Sequence, residues 1–541
     1  MESVTVNRYC TIFVLFGIFA CVAAPAHATT RTASDCSYAA VSNALSASAN
    51  GDTVIIPAGQ CSWTSPLVIT KAITLQGSGC TLDANSRPTS CSTIIQDDIP
   101  DNGVGTEAPV IDVTLVANSI THITGIQFNH NAPRNPYRTG GAVRVSGSNV
   151  DGRRVRIDTC FFNNLYSMSL LTNTVLGVID HNTFQSPQVA IYVYDDNWNG
   201  RTYGDGAWTD ANNFGTDRFL FIEDNSITCT TANCNNNLGH YTMVDGFAGM
   251  RYVFRYNVVT KGSLEGHGTE SGQRRRGMRA VEVYRNTFAG VNAGQTVTYY
   301  RGGVGLIHDN CAQGYQQAND PLKLVNFREF SAFPPFSANN VAPGGADGTN
   351  PWDVNASGGP FYSGAASSGA ALTVTVSGAA WATNQWRGYS IKKTSDGRFS
   401  EIQSNTSNTI TYLNDGATGQ GPSFTTGDAF TISKVVHAMD QPGRSGGSLV
   451  TGDVPVTRPA TWNDQVTDPW YEWNNLRDGS TNCSGGADVG FGPETLNIRI
   501  NEHFFNNAQP GGYTPYTYPH PLVSGAPSAP ASPTNLRVVS Q

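Results

Sequence analysis

The residues of this chain best suited to chemistry crowd into one segment. Lys261, His267, Arg276, Arg279 and Arg301 fall within about fifty positions, and the stretch "GHGTESGQRRRGMR" (266–279) alone holds four arginines, a histidine and a glutamate. Residues 251–285 carry an excess of five positive charges in a chain whose formal net charge is -8. A surface lined by one sign of charge focuses its field on a ligand of the other sign, so an anionic partner is expected. Arginine suits a carboxylate because its planar fork makes two parallel hydrogen bonds. Nucleic acid is not expected as a partner: the aromatics are not interleaved with the basic residues as single-strand stacking requires. An acidic polysaccharide built from uronates offers a carboxylate on each sugar. Its cleavage by β-elimination needs a cation or donor to hold the developing enolate charge, together with a base and an acid. Lys261, His267, Arg279 and Arg301 are the candidates for those catalytic parts, and Glu270, Arg274, Arg275, Arg276 and Tyr300 for contacts to substrate. For Arg274 and Arg275 a solvated charged face is the competing reading.

These residues need a scaffold that brings distant loops side by side, and a hidden repeat supplies one. The segments "VRIDTCFF" (155–162), "GVIDHNTF" (177–184), "LFIEDNSI" (220–227), "YVFRYNVV" (252–259), "VEVYRNTF" (281–288) and "GLIHDNCA" (305–312) align on Cys160, Asn182, Asn225, Asn257, Asn286 and Asn310. Three positions before each of these anchors, and two after, the residue is apolar in all six segments. The anchors are 22, 43, 32, 29 and 24 residues apart, which fits a unit of about 22 residues with variable loops, the mark of a solenoid. Each unit is expected to be one coil of a right-handed parallel β-helix. The apolar columns would then fill the interior and the asparagines would form a hydrogen-bonded ladder. Arg279 and Arg301 lie one unit apart, although seven and nine residues before their anchors. The column Asp158, Asp180, Glu223 offers oxygen ligands of the kind calcium takes, so calcium is the one cofactor suggested. A satisfied polar ladder, with Arg255 paired to Glu223, is the competing reading.

The rest of the chain agrees with an exported all-β protein. Arg8, an apolar run and Ala26-His27-Ala28 mark residues 1–28 as a signal peptide, with a secreted or periplasmic location expected and no membrane contact after its removal. Cys10 and Cys21 would leave with it. Nine cysteines then remain, so at least one is unpaired, and Cys36 with Cys61, Cys80 with Cys91 and Cys229 with Cys234 are the local bridges to expect. With 57 glycines and 14% charged residues, the composition suits turns and strands. "DCSYAAVSNALSASANGDTVIIPAG" reads as a capping helix, a turn and the first strand. We therefore expect a β-helix over residues 29–365 and a small inserted β-domain over 366–434, where polar and apolar residues alternate as in antiparallel strands. Residues 435–525 would pack on the β-helix or cap it, with "DPWYEWNNL" covering its end or stacking on sugars, and 526–541 would form a flexible tail.

"GDTVIIPAG" followed by "ITKAITLQGSG" resembles the first coil of pectate-lyase-like right-handed parallel β-helix proteins, and the resemblance covers roughly residues 36–330. "RAVEVYRNTF" followed by "VTYYRGGVGLIHDN" is similar to a stretch of the alginate lyase and chondroitinase B type of polysaccharide lyases. That resemblance implies a basic residue at Arg279 (or Arg276) and an arginine at Arg301 as base and acid. The chain departs from the pattern by having Arg where Lys stands and Gly302 where His stands. Arginine is a poor base at neutral pH, so Lys261 and His267 stay open as the base. Gly266-His267-Gly268 and Asp195-Asp196 resemble the motifs of polygalacturonase-type hydrolases, with a wider separation. A polysaccharide lyase is thus expected, with a glycoside hydrolase or a non-catalytic glycan-binding surface or filament protein as the alternatives.

Overall fold

The structure is a computed structural model and describes residues 28–100, 108–130, 140–165, 168–186, 189–230, 242–268, 276–290, 296–313, 322–325, 362–386, 390–412, 422–433, 442–445, 466–478, 486–493, 498 and 500–524. Three sheets of 12, 11 and 10 strands, parallel except where Leu476–Arg477 meets Ala487–Asp488 at the end of the second, run the length of a right-handed parallel β-helix. Each complete coil contributes one strand to each, in the order first, second, third. The anchors mark the passage from first to second. Ile157, Ile179, Ile222, Phe254, Val283 and Ile307 stack in register on the first sheet. Phe162, Phe184, Ile227, Val259, Phe288 and Ala312 do so on the second. All point into one continuous core, as the apolar columns require.

The ladder explains how each coil turns its corner. The residue before each anchor, among them His181, Asp224, Tyr256, Arg285 and Asp309, has φ between 51° and 58°, a left-handed conformation that costs a residue bearing a Cβ about 1–2 kcal/mol. The buried amides offset that cost. Asn182 Nδ2 donates to Asn225 Oδ1 at 3.0 Å and to the Ile157 and Asp180 carbonyls at 2.9 Å, and the pattern repeats through Asn257, Asn286 and Asn310. Cys160, unpaired and buried, ends the ladder by donating its backbone N–H to Asn182.

The ladder also continues where the repeat was not expected. Asn310 Nδ2 donates to Asn475 Oδ1 at 2.9 Å, and the strand Trp470–Trp473 pairs with Val304–His308. "DPWYEWNNL" is therefore a further coil of the β-helix and not a cover for its end. Two features hid it. It lies 165 residues past Asn310, and the column position of Ile307 is taken by Glu472, which accepts from Asn475 Nδ2 and the Asn507 N–H. Gly305 makes room for Trp470, whose ring would lie 2.2 Å from a Cβ there.

At the other end, helix Tyr38–Ala47 is capped by Ser37, whose side chain accepts from the Ala40 N–H, and buries Val41 and Leu45. Bridges join Cys36 to Cys61 and Cys80 to Cys91. Cys229 and Cys311 are also disulfide-bonded, whereas Cys234 lies outside the described residues. Strands between Tyr362 and Ser433 form a separate seven-stranded antiparallel sheet with its own core around Trp381, Trp386, Ile391 and Phe430. Among the described residues no helix is long and apolar enough to cross a membrane.

Candidate functional site

Alternation along a strand sends neighbouring side chains to opposite faces, and on the third sheet this decides which residues meet solvent. Val244, Leu264, Tyr300 and Leu324 point into the core. Tyr192, Asp245, Glu265, Tyr299 and Lys323 take the opposite face, with Tyr192 beside Asp245, Glu265 beside Tyr299 and Tyr299 beside Lys323 on successive coils. Just past the strand ends His267 and Arg301 come together, with the Arg301 N–H donating to the Gly266 carbonyl at 2.9 Å.

These outward residues form one cluster. His267 Nε2 lies 3.0 Å from Asp245 Oδ2, and its Nδ1 lies 2.5 Å from Arg301 Nη2. The same Nη2 donates to Glu265 Oε1 at 2.5 Å, and Thr242 Oγ1 donates to Glu265 Oε2 at 2.5 Å. A guanidinium can only donate, so Nδ1 accepts and the imidazole proton sits on Nε2, facing Asp245. Burial and Arg301 push the pKa of His267 down, the Asp245 and Glu265 carboxylates push it up, and the outcome lies above the usual imidazole value. The acids are almost fully covered, while the His267 and Arg301 side chains keep 20% and 10% exposure. The two groups that could touch a ligand are thus at the rim, and the groups that orient them are beneath.

The other residues expected at the site fall elsewhere. Lys261 stands at the corner before strand Ser263–Gly266, at the opposite end from His267. Tyr300 points inward, its hydroxyl 2.7 Å from that of Tyr252 and its ring stacked on Trp470. The outward tyrosine is Tyr299. Arg276 and Arg279 are fully buried under residues 198–214. Trp208 covers the Arg276 guanidinium at 4.8 Å and donates to the Gly277 carbonyl, and Arg279 Nη2 reaches the Asp210 carbonyl at 3.1 Å. Neither is open to a polymer. Glu270, Arg274 and Arg275 lie outside the described residues. Asp195, of the hydrolase-like motif, is buried and accepts from the Arg251 N–H rather than meeting His267. Asp245 and Glu265 were the residues missed. The parity of Tyr299 with Arg301 was the available signal for the face, but the spacing between coils around 231–241 gave none for Asp245.

Two places invite a cation. Oxygen atoms of Asp245 and Glu265 and a ring nitrogen of His267 lie within 4.8 Å of one another. Arg301 Nη2 already occupies the position between Glu265 and His267, so a metal there would have to displace the guanidinium, and a donor set with an imidazole differs from the all-oxygen shell of calcium. The Asp158, Asp180, Glu223 column is neutralised by protein cations: Arg156 Nη2 bridges Asp158 and Asp180 at 2.7 and 2.9 Å, and Arg255 meets Glu223 at 2.6 Å.

Fold and site together describe a parallel β-helix with a half-open His–Arg–carboxylate cluster on the outer face of its third sheet. No protein-family model and no curated protein sequence matches the chain. Among solved structures it is similar to a variant of the PL6 family alginate lyase AlyGC, at 14% identity and TM-score 0.30, over 55% of this chain and 40% of that one. It is similar also to the alginate lyase from Paenibacillus sp. str. FPU-7, at 14% identity and TM-score 0.27, over 54% and 95%. ORF18 of Geobacillus virus E2 matches at 15% identity and TM-score 0.30, over 53% and 51%. The match thus spans less than half of the AlyGC chain. The stacked sheets themselves show the parallel β-helix expected from the sequence.

Proposed function

We propose that this protein is a secreted or periplasmic polysaccharide lyase that cleaves a uronate-containing polymer by β-elimination at the outer face of the third sheet. The observation that carries the reading is the 2.5 Å contact between Arg301 Nη2 and His267 Nδ1 at the rim of the cluster. A uronate carboxylate binding to Arg301 takes over a donor that His267 now holds, which releases the Nδ1 lone pair beside the carbon next to that carboxylate. Nδ1 then accepts the carbon-bound proton, Arg301 holds the charge developing on the carboxylate, and Asp245 steadies the imidazolium through Nε2. The C–O bond to the departing sugar breaks as the C=C bond forms, and the imidazolium or the Tyr299 hydroxyl returns a proton to the leaving oxygen. The bridged cysteines suit an oxidising compartment.

Incubation with alginate, pectate and glycosaminoglycans tests this. Ultraviolet absorbance from an unsaturated product, rising together with reducing ends, is the expected result. Reducing ends alone would indicate a hydrolase, a reading that the closeness of Asp245 and Glu265 keeps in play because retaining hydrolysis uses paired carboxylates. Retention on a glycan with no product would indicate a binding protein.

A further inference from the structure

On the outer face of the third sheet the cluster has different neighbours on its two sides. Toward the N-terminal coils stand three aromatics: Tyr192 and Tyr194 with centroids 4.8 Å apart, and Phe247 at 4.7 Å from Tyr194 with the rings nearly perpendicular. Phe247 in turn lies 6.4 Å from the His267 ring. Tyr192 and Phe247 are nearly covered, with Met168 and Val189 packed against them, while Tyr194 is half-buried and forms the accessible part of the patch. Toward the C-terminal coils stand Tyr299 and, on the coil beyond it, the half-buried Lys323. Neighbouring coils are about 4.8 Å apart, comparable to the length one pyranose adds to a chain. A polymer lying along the axis therefore places roughly one sugar over each coil.

We propose that this face is an asymmetric substrate track, with a ring-stacking subsite at Tyr194, braced from beneath by Phe247, on one side of His267–Arg301 and a carboxylate-binding subsite at Lys323 on the other. The occupant is a single acidic polysaccharide chain running across the coils; the inference rests on the lyase reading of the cluster between the subsites. The C–H face of a pyranose packs on an aromatic ring whatever its charge, and an ammonium attracts a carboxylate through a field that salt screens. The two sides thus differ in what they recognise.

The test is affinity electrophoresis of the full chain in gels containing alginate or pectate, at low salt and at about 0.5 M salt, run beside the unsaturated-product assay. Tyr194→Ala is expected to weaken retention about fivefold at both salt concentrations, and Tyr194→Phe to restore it. Lys323→Ala is expected to weaken retention about threefold at low salt and hardly at all at high salt. If both alanine variants are retained like the parent, the track is wrong, whether or not the parent cleaves. Lost retention in a protein that makes no unsaturated product upholds the track and removes the lyase reading. Cleavage by the parent and both variants alike upholds the lyase reading and removes the track.

Discussion

The outer faces of the first and third sheets carry the same kinds of residue and put them to different uses. On the first, Arg255 pairs with Glu223 with both side chains fully buried, and it also donates to the Tyr284 hydroxyl and the Tyr516 and Thr517 carbonyls. Glu282 accepts from the Tyr513 hydroxyl and the Gly215 N–H, and the His520 N–H donates to Glu223. The C-terminal segment lies over this face, where Leu522 joins Val178, Phe221 and Val253 in an apolar patch. On the third sheet, Arg301, Glu265 and His267 form a similar network, but His267 and Arg301 keep part of their surface open. Covering separates the two. A sealed ion network serves stability, and the same network with its cation at the rim can exchange a partner for a ligand.

Breaking each network in turn should reverse which property suffers. The largest expected effect is on Arg301→Ala, which should lower kcat/KM on an acidic polysaccharide by about 10²-fold or more; steady-state assays with intact kcat/KM would remove the site. Arg255→Ala should instead destabilise the fold by about 3–5 kcal/mol by leaving Glu223 buried and unpaired, measured by urea unfolding, with the folded protein's kcat/KM nearly unchanged. A stable but inactive Arg255→Ala protein would invert the comparison.

pH sharpens it further. Burial pushes Glu282 up to about 7 against the pull of Tyr513 and Gly215, whereas an unfolded glutamate titrates near about 4.3. The folded state therefore keeps a proton that the unfolded state loses. The stability this contributes is complete below about pH 4.3 and is lost as pH rises from there to about 7, by about 4 kcal/mol in all. Glu282→Gln should abolish that slope in melting temperature against pH. At the open cluster the smallest effect is expected. His267 must be neutral to act as a base, so kcat/KM should rise through a midpoint above the usual imidazole value, and Asp245→Asn should move that midpoint down by about one pH unit. An unmoved midpoint would remove His267 as the base.

Much of the fold was legible because the coil repeats a physical requirement. From Asn182 to Asn310 each turn from first to second sheet carries an apolar residue on either side and an amide that satisfies buried backbone groups, so Ile179, Asn182 and Phe184 recur as a visible trio. Where Glu472 breaks the column beside Asn475, the coil became invisible. The site was only half legible. His267 and Arg301 stand out by residue type, but the sequence does not separate Tyr299 from Tyr300, because two adjacent tyrosines differ only in the face that strand alternation assigns them. Arg276 and Arg279 looked available because nothing near them in the chain announces Trp208 as their cover.

The order of residues along this chain was enough to dictate stacked coils, since apolar columns and a buried amide ladder are local patterns that each coil repeats. It was also enough to concentrate cations near one stretch of the wall. Which wall stays open was decided only in three dimensions. Residues 513–523 close over Glu223, Arg255 and Glu282 from more than two hundred positions away, and a contact between segments so distant leaves no periodic trace in either.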